Sequence, residues 1–159
     1  QGQGCLVVIG GLNEAIMTIP GKYRLKLKDR KGFVRIALTE GADLVPVYHF
    51  GENETYQPVT GICAKRLRNM QAHIINRFGF CPPLHMGESL FGLPWGGIVP
   101  RKTRIESVVG GAIRVEKNPN PTQEEVDLLH AAYCDKLIAL FESHKCNYGI
   151  PVEEKLMLY

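Results

Sequence analysis

The sequence predicts an α/β fold, a mixed and largely parallel sheet with flanking helices. Three observations point there. Residues 5–9 (CLVVI) are apolar without alternation, the pattern of a short strand buried on both faces. Residues 22–28 (KYRLKLK) alternate strictly, with Tyr23, Leu25 and Leu27 on one side and four basic residues on the other. Two stretches, 30–40 and 122–145, instead repeat their apolar residues at helical spacing. Strands and helices therefore succeed one another along the chain, as in a layered α/β domain.

Each element has a local reason. Gly10-Gly11 ends the first strand, and LNEAIM forms a short helix stopped at Pro20-Gly21. The strand at 22–28 is half-exposed with one basic face. Asp29 is placed to cap the next helix, whose core face carries Phe33, Ile36 and Ala37, flanked by Val34 and Leu38. Gly41 supplies its left-handed stop. Residues 43–48 (DLVPVY) read as a strand, and Pro46, which cannot donate to a ladder, marks an edge or a bulge of the kind often found near a ligand. Residues 51–61 read as a loop and 64–78 as a basic helix. Residues 79–100, rich in Pro and Gly, form a long irregular segment. Strands follow at 105–109 and 112–116. Thr122 and Glu125 have the spacing of a capping box, in which hydroxyl and carboxylate satisfy the free amides of a helix start. Val126, Leu129, Tyr133, Leu137, Leu140 and Phe141 make that helix's apolar stripe, while His144 and Lys145 suit its negative end. The tail after Gly149 reads as irregular.

Composition narrows the function classes. A chain of 159 residues, 45% hydrophobic and 22% charged, is long enough for one domain with a real core. The net charge of +3 is too small to argue for nucleic acid, and no aromatic residues interleave with the basic face as base stacking requires. Five cysteines, odd in number and never paired as CxxC, predict reduced thiols facing the cytosol, each acting as a small buried apolar residue. No zinc site or other metal site is expected. The longest apolar run, residues 5–12, is far shorter than the roughly 20 residues that span a bilayer. The first residue is Gln1, and the chain is expected to be part of a longer protein.

Four groups of residues could carry chemistry. Gly10, Gly11 and Glu14 follow a strand and open a helix, where ligands bind in open α/β sheets. A carboxylate there can accept hydrogen bonds from the hydroxyls of a glycerol-like molecule, or simply stabilise the helix start from solvent. The dense basic run Lys22, Arg24, Lys26, Lys28, Arg30, Lys31 and Arg35 suits phosphates or an anionic membrane surface, or equally a strand edge guarded by lysines. Glu52 and Glu54 lie in a turn after a strand and either line a site or stay solvated. None of the five histidines adjoins a Ser or Cys in a nucleophile motif, and no GxSxG, P-loop or HExxH occurs.

The unbroken stretch 30–54 (RKGFVRIALTEGADLVPVYHFGENE) resembles the signature of the diacylglycerol/monoacylglycerol acyltransferase family of type-2 enzymes, with Arg30, Gly32, Phe33, Ala37, Gly41, Leu44, Val45, Pro46, Phe50, Gly51 and Glu52 in the family's places. Gly10, Gly11 and Glu14 match its Gly-Gly-x-x-Glu element. Val108, Val109 and Gly110 resemble its Thr-Val-Val-Gly block, and residues 121–145 its C-terminal region. The blocks run in order along nearly the whole chain. Two departures stand out. The family's His-Pro-His-Gly motif and the Tyr-Phe-Pro element before it are absent, and its Phe-His-Gly-Arg-Gly-Leu-Phe element stands here as LHMGESLF (84–91), without the Arg and with one residue more.

The resemblance implies that residues 1–159 are the C-terminal portion of a single acyltransferase domain, with the membrane anchor and catalytic histidine motif upstream. It implies acyl transfer from acyl-CoA to the hydroxyl of diacylglycerol, with monoacylglycerol or wax-alcohol acyltransferases, or a non-catalytic lipid-binding relative, as alternatives. By the resemblance, Glu14, Gly10 and Gly11 bind the acceptor. Arg30, Lys31, Gly32 and Arg35 bind acyl-CoA, which is a substrate, so no cofactor is implied. Pro46, Phe50, Gly51 and Glu52 line the site. The implied partners are acyl-CoA, mono- or diacylglycerol and a membrane surface, with homo-oligomer formation left open. The implied location is the cytosolic face of the endoplasmic reticulum membrane, and the chain alone is expected to be inactive.

Overall fold

A computed structural model describes residues 4–11, 14, 19–58, 66, 69–70, 73–74, 77–78, 85–86 and 99–159. The described elements are β1 (Arg24–Leu25), α1 (Gly32–Glu40), β2 (Val47–Phe50), β3 (Gln57–Pro58), β4 (His85–Met86), β5 (Glu106–Val109), α2 (Gln123–His144) and β6 (Met157–Leu158). Helix and strand are mixed, as expected of an α/β chain, and the strands form small two-stranded sheets. β1 pairs with β6 in parallel, whereas β2 pairs with β5 and β3 with β4 in antiparallel fashion.

The core gathers on α2. Its capping box forms as the spacing predicts: Thr122 Oγ1 accepts from the Glu125 amide at 3.2 Å, and the Glu125 carboxylate accepts from the Thr122 amide at 2.7 Å. Val126, Tyr133, Leu137, Leu140 and Phe141 are buried and Leu129 half-buried, so the stripe read from periodicity is the core face. Phe141 is fully buried among aromatic rings, 5.1 Å from Tyr48, 5.2 Å from Tyr23 and 5.7 Å from Phe50 between centroids.

Helix α1 packs on α2 through Phe33, whose ring meets Tyr133 edge-on at 5.0 Å. Its buried residues are Val34 and Ala37, while Ile36 is 65% exposed. The core face is thus rotated from the expected one. At about 100° per residue its centre falls between Val34 and Ala37, with Phe33 and Leu38 as half-buried flanks. The cap is corrected too: Lys31, not Asp29, is the N-cap, with no side-chain cap bond, because its ammonium only donates and cannot accept a helix amide. Gly41 does end α1 in the left-handed conformation, φ 68°.

The strand expected at 43–48 lies later, at Val47–Phe50. Register explains the shift. Val47 pairs with Val109, but the next bridge back joins Leu44 to Ile113, so two residues on one strand face three on the other. This is a β-bulge, and Pro46 sits in it, its carbonyl accepting the Gly110 amide at 2.8 Å. The strand expected at 112–116 is reduced to that single bridge at Ile113.

Two other expectations change. Residues 5–9 form no strand: Leu6 is 76% and Val8 78% exposed, and only Ile9 packs against the core, because no described strand lies beside them. The tail after Gly149 is not irregular throughout. Ile150 and Leu156 are buried, and β6 hydrogen-bonds β1, where Met157 N donates to Tyr23 O and Tyr159 N to Leu25 O. Residues 145–148 form a 3-10 helix, and Lys145, buried to 3% exposure, holds the tail. Its ammonium donates to the carbonyls of Val152 (2.7 Å) and Glu154 (2.8 Å) and pairs with Glu142 at 2.6 Å.

The helices expected at 12–17 and 64–78 and the irregular segment 79–100 lie largely outside the described residues; those described within 64–78 are helical. Among the described cysteines, Cys5, Cys134 and Cys146 are free thiols. Cys5 and Cys146 are exposed rather than buried, and burial pushes the Cys134 thiol up. Cys63 and Cys81 lie outside the described residues.

Candidate functional site

The Gly-Gly-x-x-Glu element folds into a turn that delivers a carboxylate to a strand. Gly11 takes φ +66°, and its carbonyl accepts the Glu14 amide at 3.1 Å. The Glu14 side chain turns back over Gly10 and reaches β1's flank, where Oε2 accepts the Lys26 amide at 2.8 Å. Leu25 O and Leu27 N on either side of it both bond Tyr159, so the Lys26 amide faces the opposite edge of the strand, where the carboxylate satisfies a donor that the sheet does not. Glu14 is half-buried. Burial raises its pKa, the Lys26 amide opposes that rise, and the charge of Glu52 adds to it.

Glu52 comes from the turn after β2. Gly51 begins that turn at φ +86°, and a Cβ added there would collide with the Arg104 carbonyl, so only glycine fits. The turn is fastened to the chain before β1: Asn53 Nδ2 donates to Lys22 O at 3.1 Å, and the Gly21 amide to Glu54 at 3.4 Å. Three phenols share this region. Burial pushes Tyr48 up, with Tyr23, Glu52 and Glu14 adding to the shift. Burial also raises Tyr159, and the Glu14 charge raises it further. Tyr23 rises by burial and by Glu54. Beside them is a cleft of about 60 Å³ lined by Tyr23, Tyr48, Phe50, Gly51, Asn53 and Tyr148. It has room for roughly two water molecules and not for an acyl chain.

The structure thus brings Glu14, Gly10, Gly11 and Glu52 into one neighbourhood, with Phe50 and Gly51 on the adjoining cleft. Pro46 is elsewhere, buried in the bulge. The basic residues expected to bind acyl-CoA divide. Lys31 pairs with Asp127 at 2.9 Å, holding that carboxyl below its ordinary range. Arg35 donates to Gln123 at 2.8 Å and to the Pro121 carbonyl at 3.3 Å. Both therefore tie α1 to the start of α2. Arg30 and Gly32 are exposed beside them.

Sequence reasoning missed several groups. Tyr48 and Tyr159 join the site only because β2 and β6 bring them there; Tyr23 was legible, since its place in the 22–28 alternation already turned it inward. Lys145 carried no signal beyond its position at a helix end. His49 Nδ1 and Ser107 Oγ face each other at 2.7 Å across β2 and β5, which no local motif could reveal over 58 positions. The pair is exposed, and no described carboxylate bonds the other ring nitrogen, so it lacks the orienting third member of a nucleophile triad. His130 is buried, and its Nε2 donates to Leu27 O at 3.0 Å, a structural use. Among the described residues no group of three or more His, Cys, Asp or Glu could hold a metal ion, and no described helix is long and apolar enough to cross a membrane.

Together these features define a class: an α/β unit that mounts a partly buried glutamate on a Gly-Gly turn beside a phenol-lined, acidic cleft. Its family is fixed by sequence. Residues 1–159 match the family model described as diacylglycerol acyltransferase, and the chain belongs to that family. It is 43% identical over 156 residues to diacylglycerol O-acyltransferase 2 of Mus musculus, covering 98% of this chain and 40% of the relative. The same protein of Homo sapiens is 41% identical over 156 residues, with the same two coverages. The 2-acylglycerol O-acyltransferase 1 of Bos taurus is 43% identical over 152 residues, 96% of this chain and 45% of the relative. The chain spans less than half the length of these curated relatives. No solved structure matches it significantly.

Proposed function

We propose that this chain is the C-terminal portion of a single acyltransferase domain that moves a fatty acyl group from acyl-CoA to the hydroxyl of diacylglycerol, giving triacylglycerol. The observation that carries this reading is the 43% identity to the mouse diacylglycerol O-acyltransferase 2, sustained over 98% of the chain. In the reaction, the acceptor hydroxyl oxygen attacks the thioester carbonyl, a general base takes the hydroxyl proton, and coenzyme A leaves as the thiol. The base would be the histidine of the family's upstream motif, so the chain by itself is expected to be inactive. No cofactor enters the reaction.

Glu14, on its Gly10-Gly11 turn, would receive the acceptor's hydroxyls, and Glu52, Gly51 and Phe50 would line the approach. The half-buried setting of Glu14 supports this assignment, because hydrogen bonds to a partly desolvated carboxylate are stronger than in water. Arg30, Gly32, Lys31 and Arg35 would meet the phosphates of acyl-CoA, the last two at the cost of their contacts with α2. Pro46 would act through the bulge rather than by touching a ligand. The acyl chain needs more room than the described cleft offers, which fits a site completed by further chain in the longer relatives. Such chain would also complete a largely parallel sheet. The expected setting is the cytosolic face of the endoplasmic reticulum membrane.

The test is an assay of the intact protein with labelled acyl-CoA and competing diacylglycerol, monoacylglycerol and long-chain alcohol. Triacylglycerol as the dominant product supports the reading. A second reading, monoacylglycerol acylation, is favoured by the equal 43% identity to the bovine 2-acylglycerol O-acyltransferase 1, and diacylglycerol as product would establish it. Wax ester as product would place the protein with the alcohol-using enzymes. No ester with any acceptor would leave only a non-catalytic lipid-binding role.

A further inference from the structure

Glycine at position 10 is explained by the carboxylate four residues later. A Cβ built on Gly10 would overlap the Glu14 carboxyl carbon and both of its oxygens, and these are the three nearest atoms it would meet. No backbone atom is closer. Gly10 is itself buried, and it has no left-handed conformation that would otherwise demand glycine. Gly11 has the opposite character: its φ of +66° demands glycine, and nothing stands within 4 Å of its Cβ position. The two glycines therefore do different work. Gly11 makes the turn, and Gly10 makes room for the end of the Glu14 side chain.

From this we infer that Gly10 and the Lys26 amide are positioning groups that together fix the direction of the Glu14 carboxylate. The inference deepens the reading of Glu14 as the acceptor-binding residue and rests on that reading for its functional consequence. One group acts by absence and the other by attraction. The missing Cβ lets the carboxylate lie against the backbone at residue 10, and the Lys26 amide holds Oε2 there at 2.8 Å. That bond engages one of the roughly four acceptor directions of a carboxylate. Glu52, Tyr48 and Tyr159 feel the Glu14 charge, and Arg24 acts on Tyr159.

The atoms in conflict with an added methyl lie at the far end of a flexible side chain. Gly10→Ala should therefore leave the fold in place and swing the carboxylate off the Lys26 amide. The experiment is NMR on the 159-residue chain. In the unaltered chain, the Lys26 amide resonance should move as Glu14 titrates, and its hydrogen exchange should be slowed. In Gly10→Ala the resonance should stop following Glu14, and Lys26 exchange should quicken at least tenfold. Gly4→Ala, which meets nothing within 4 Å, should change neither. A double-mutant cycle excludes a merely structural role: once Glu14→Ala has emptied the space, adding Gly10→Ala should quicken Lys26 exchange by less than about twofold. Equal effects of Gly10→Ala in both backgrounds, or a Lys26 amide indifferent to Glu14 in the unaltered chain, would overturn the inference.

Acceptor binding is tested separately, in the intact protein, by adding 1,2-dioctanoylglycerol and following the Glu14 carboxyl resonance. A shift supports the acceptor reading. An unmoved Glu14 resonance, with the Lys26 coupling intact, overturns that reading and leaves the positioning upheld.

Discussion

The two ends of the described structure are held in different ways. Around α2, residues distant in sequence interlock as a cluster: Phe141 from the helix, Tyr48 and Phe50 from β2, Tyr148, Ile150 and Leu156 from the tail. Around Glu14, the carboxylate accepts the Lys26 amide and the Glu14 amide donates to the Gly11 carbonyl, with the exposed residues 4–8 leading into the turn. The α2 cluster is a scaffold whose stability is spread over many contacts. The Glu14 turn is a site built from polar contacts at the edge of that scaffold. A substitution in the first region should lower global stability; one in the second should change local behaviour and leave global stability nearly intact.

The sharpest test of the scaffold is Phe141→Ala. The ring is fully buried and meets three aromatic rings, so its removal should cost about 3–5 kcal/mol, read as a fall in the urea midpoint with an unchanged slope. A loss below about 1 kcal/mol would mean that the cluster collapses around the cavity, and the contrast with the Glu14 turn would weaken.

Lys145→Met probes the seam between scaffold and tail. Methionine fills much of the lysine volume but cannot donate, leaving the Val152 and Glu154 carbonyls without the ammonium. A loss of about 2–4 kcal/mol is expected, together with faster amide exchange at Met157 and Tyr159, whose bonds to Tyr23 and Leu25 carry the β1–β6 contact. Unchanged exchange there would show that Ile150 and Leu156 hold the tail by packing alone.

The same contrast separates what the sequence disclosed from what it withheld. The α2 stripe, its capping box and the Gly41 stop were legible because each is set by residues within one or two turns of each other. The inward face of Tyr23, Leu25 and Leu27 was legible for the same reason. Residues 5–9 read as a buried strand because a run such as CLVVI signals burial without saying what does the burying, and no described strand does so. The core face of α1 was misplaced by about one residue, since Phe33, Val34, Ile36, Ala37 and Leu38 leave several apolar faces to choose from, and packing on α2 chose among them. In the site, Glu14 and Gly51 were singled out from the chain. Their company of Tyr48, Tyr159 and Glu52 depends on pairings such as β1 with β6, which join residues more than 130 positions apart. The basic run showed its charge but not its use, because Asp127 and Gln123 lie nearly 100 residues further on.

A smaller effect is expected at the start of α2. Thr122→Ala removes the acceptor for the Glu125 amide and should cost about 1 kcal/mol. Thr122→Ser keeps the hydroxyl and should recover most of it. If alanine and serine behave alike, the cap is not what fixes the helix start, and the contacts of Lys31 and Arg35 across the α1–α2 seam would take that role.

The smallest effect lies in the Glu14 turn and is read from pH. The folded chain raises the Glu14 pKa above its ordinary 4.5, chiefly by burial. A carboxyl that holds its proton more tightly when folded contributes stability that is fully present below the ordinary value and is lost as pH rises through the raised one. Glu125 and Asp127 behave in the opposite sense: their carboxyls are held below their ordinary values by hydrogen bonds with Thr122 and Lys31 respectively, so their contribution is present at higher pH and lost as pH falls through the depressed values. The two regions of the molecule therefore respond in separate windows, the α2 cap below the ordinary carboxylate range and the Glu14 turn above it. Urea midpoints measured from about pH 2 to about pH 7 should show a shallow decline on the alkaline side that Glu14→Gln removes while the acid-side loss persists. A decline that survives in Glu14→Gln would assign it to another group and leave Glu14 no more than a solvated acid on its turn.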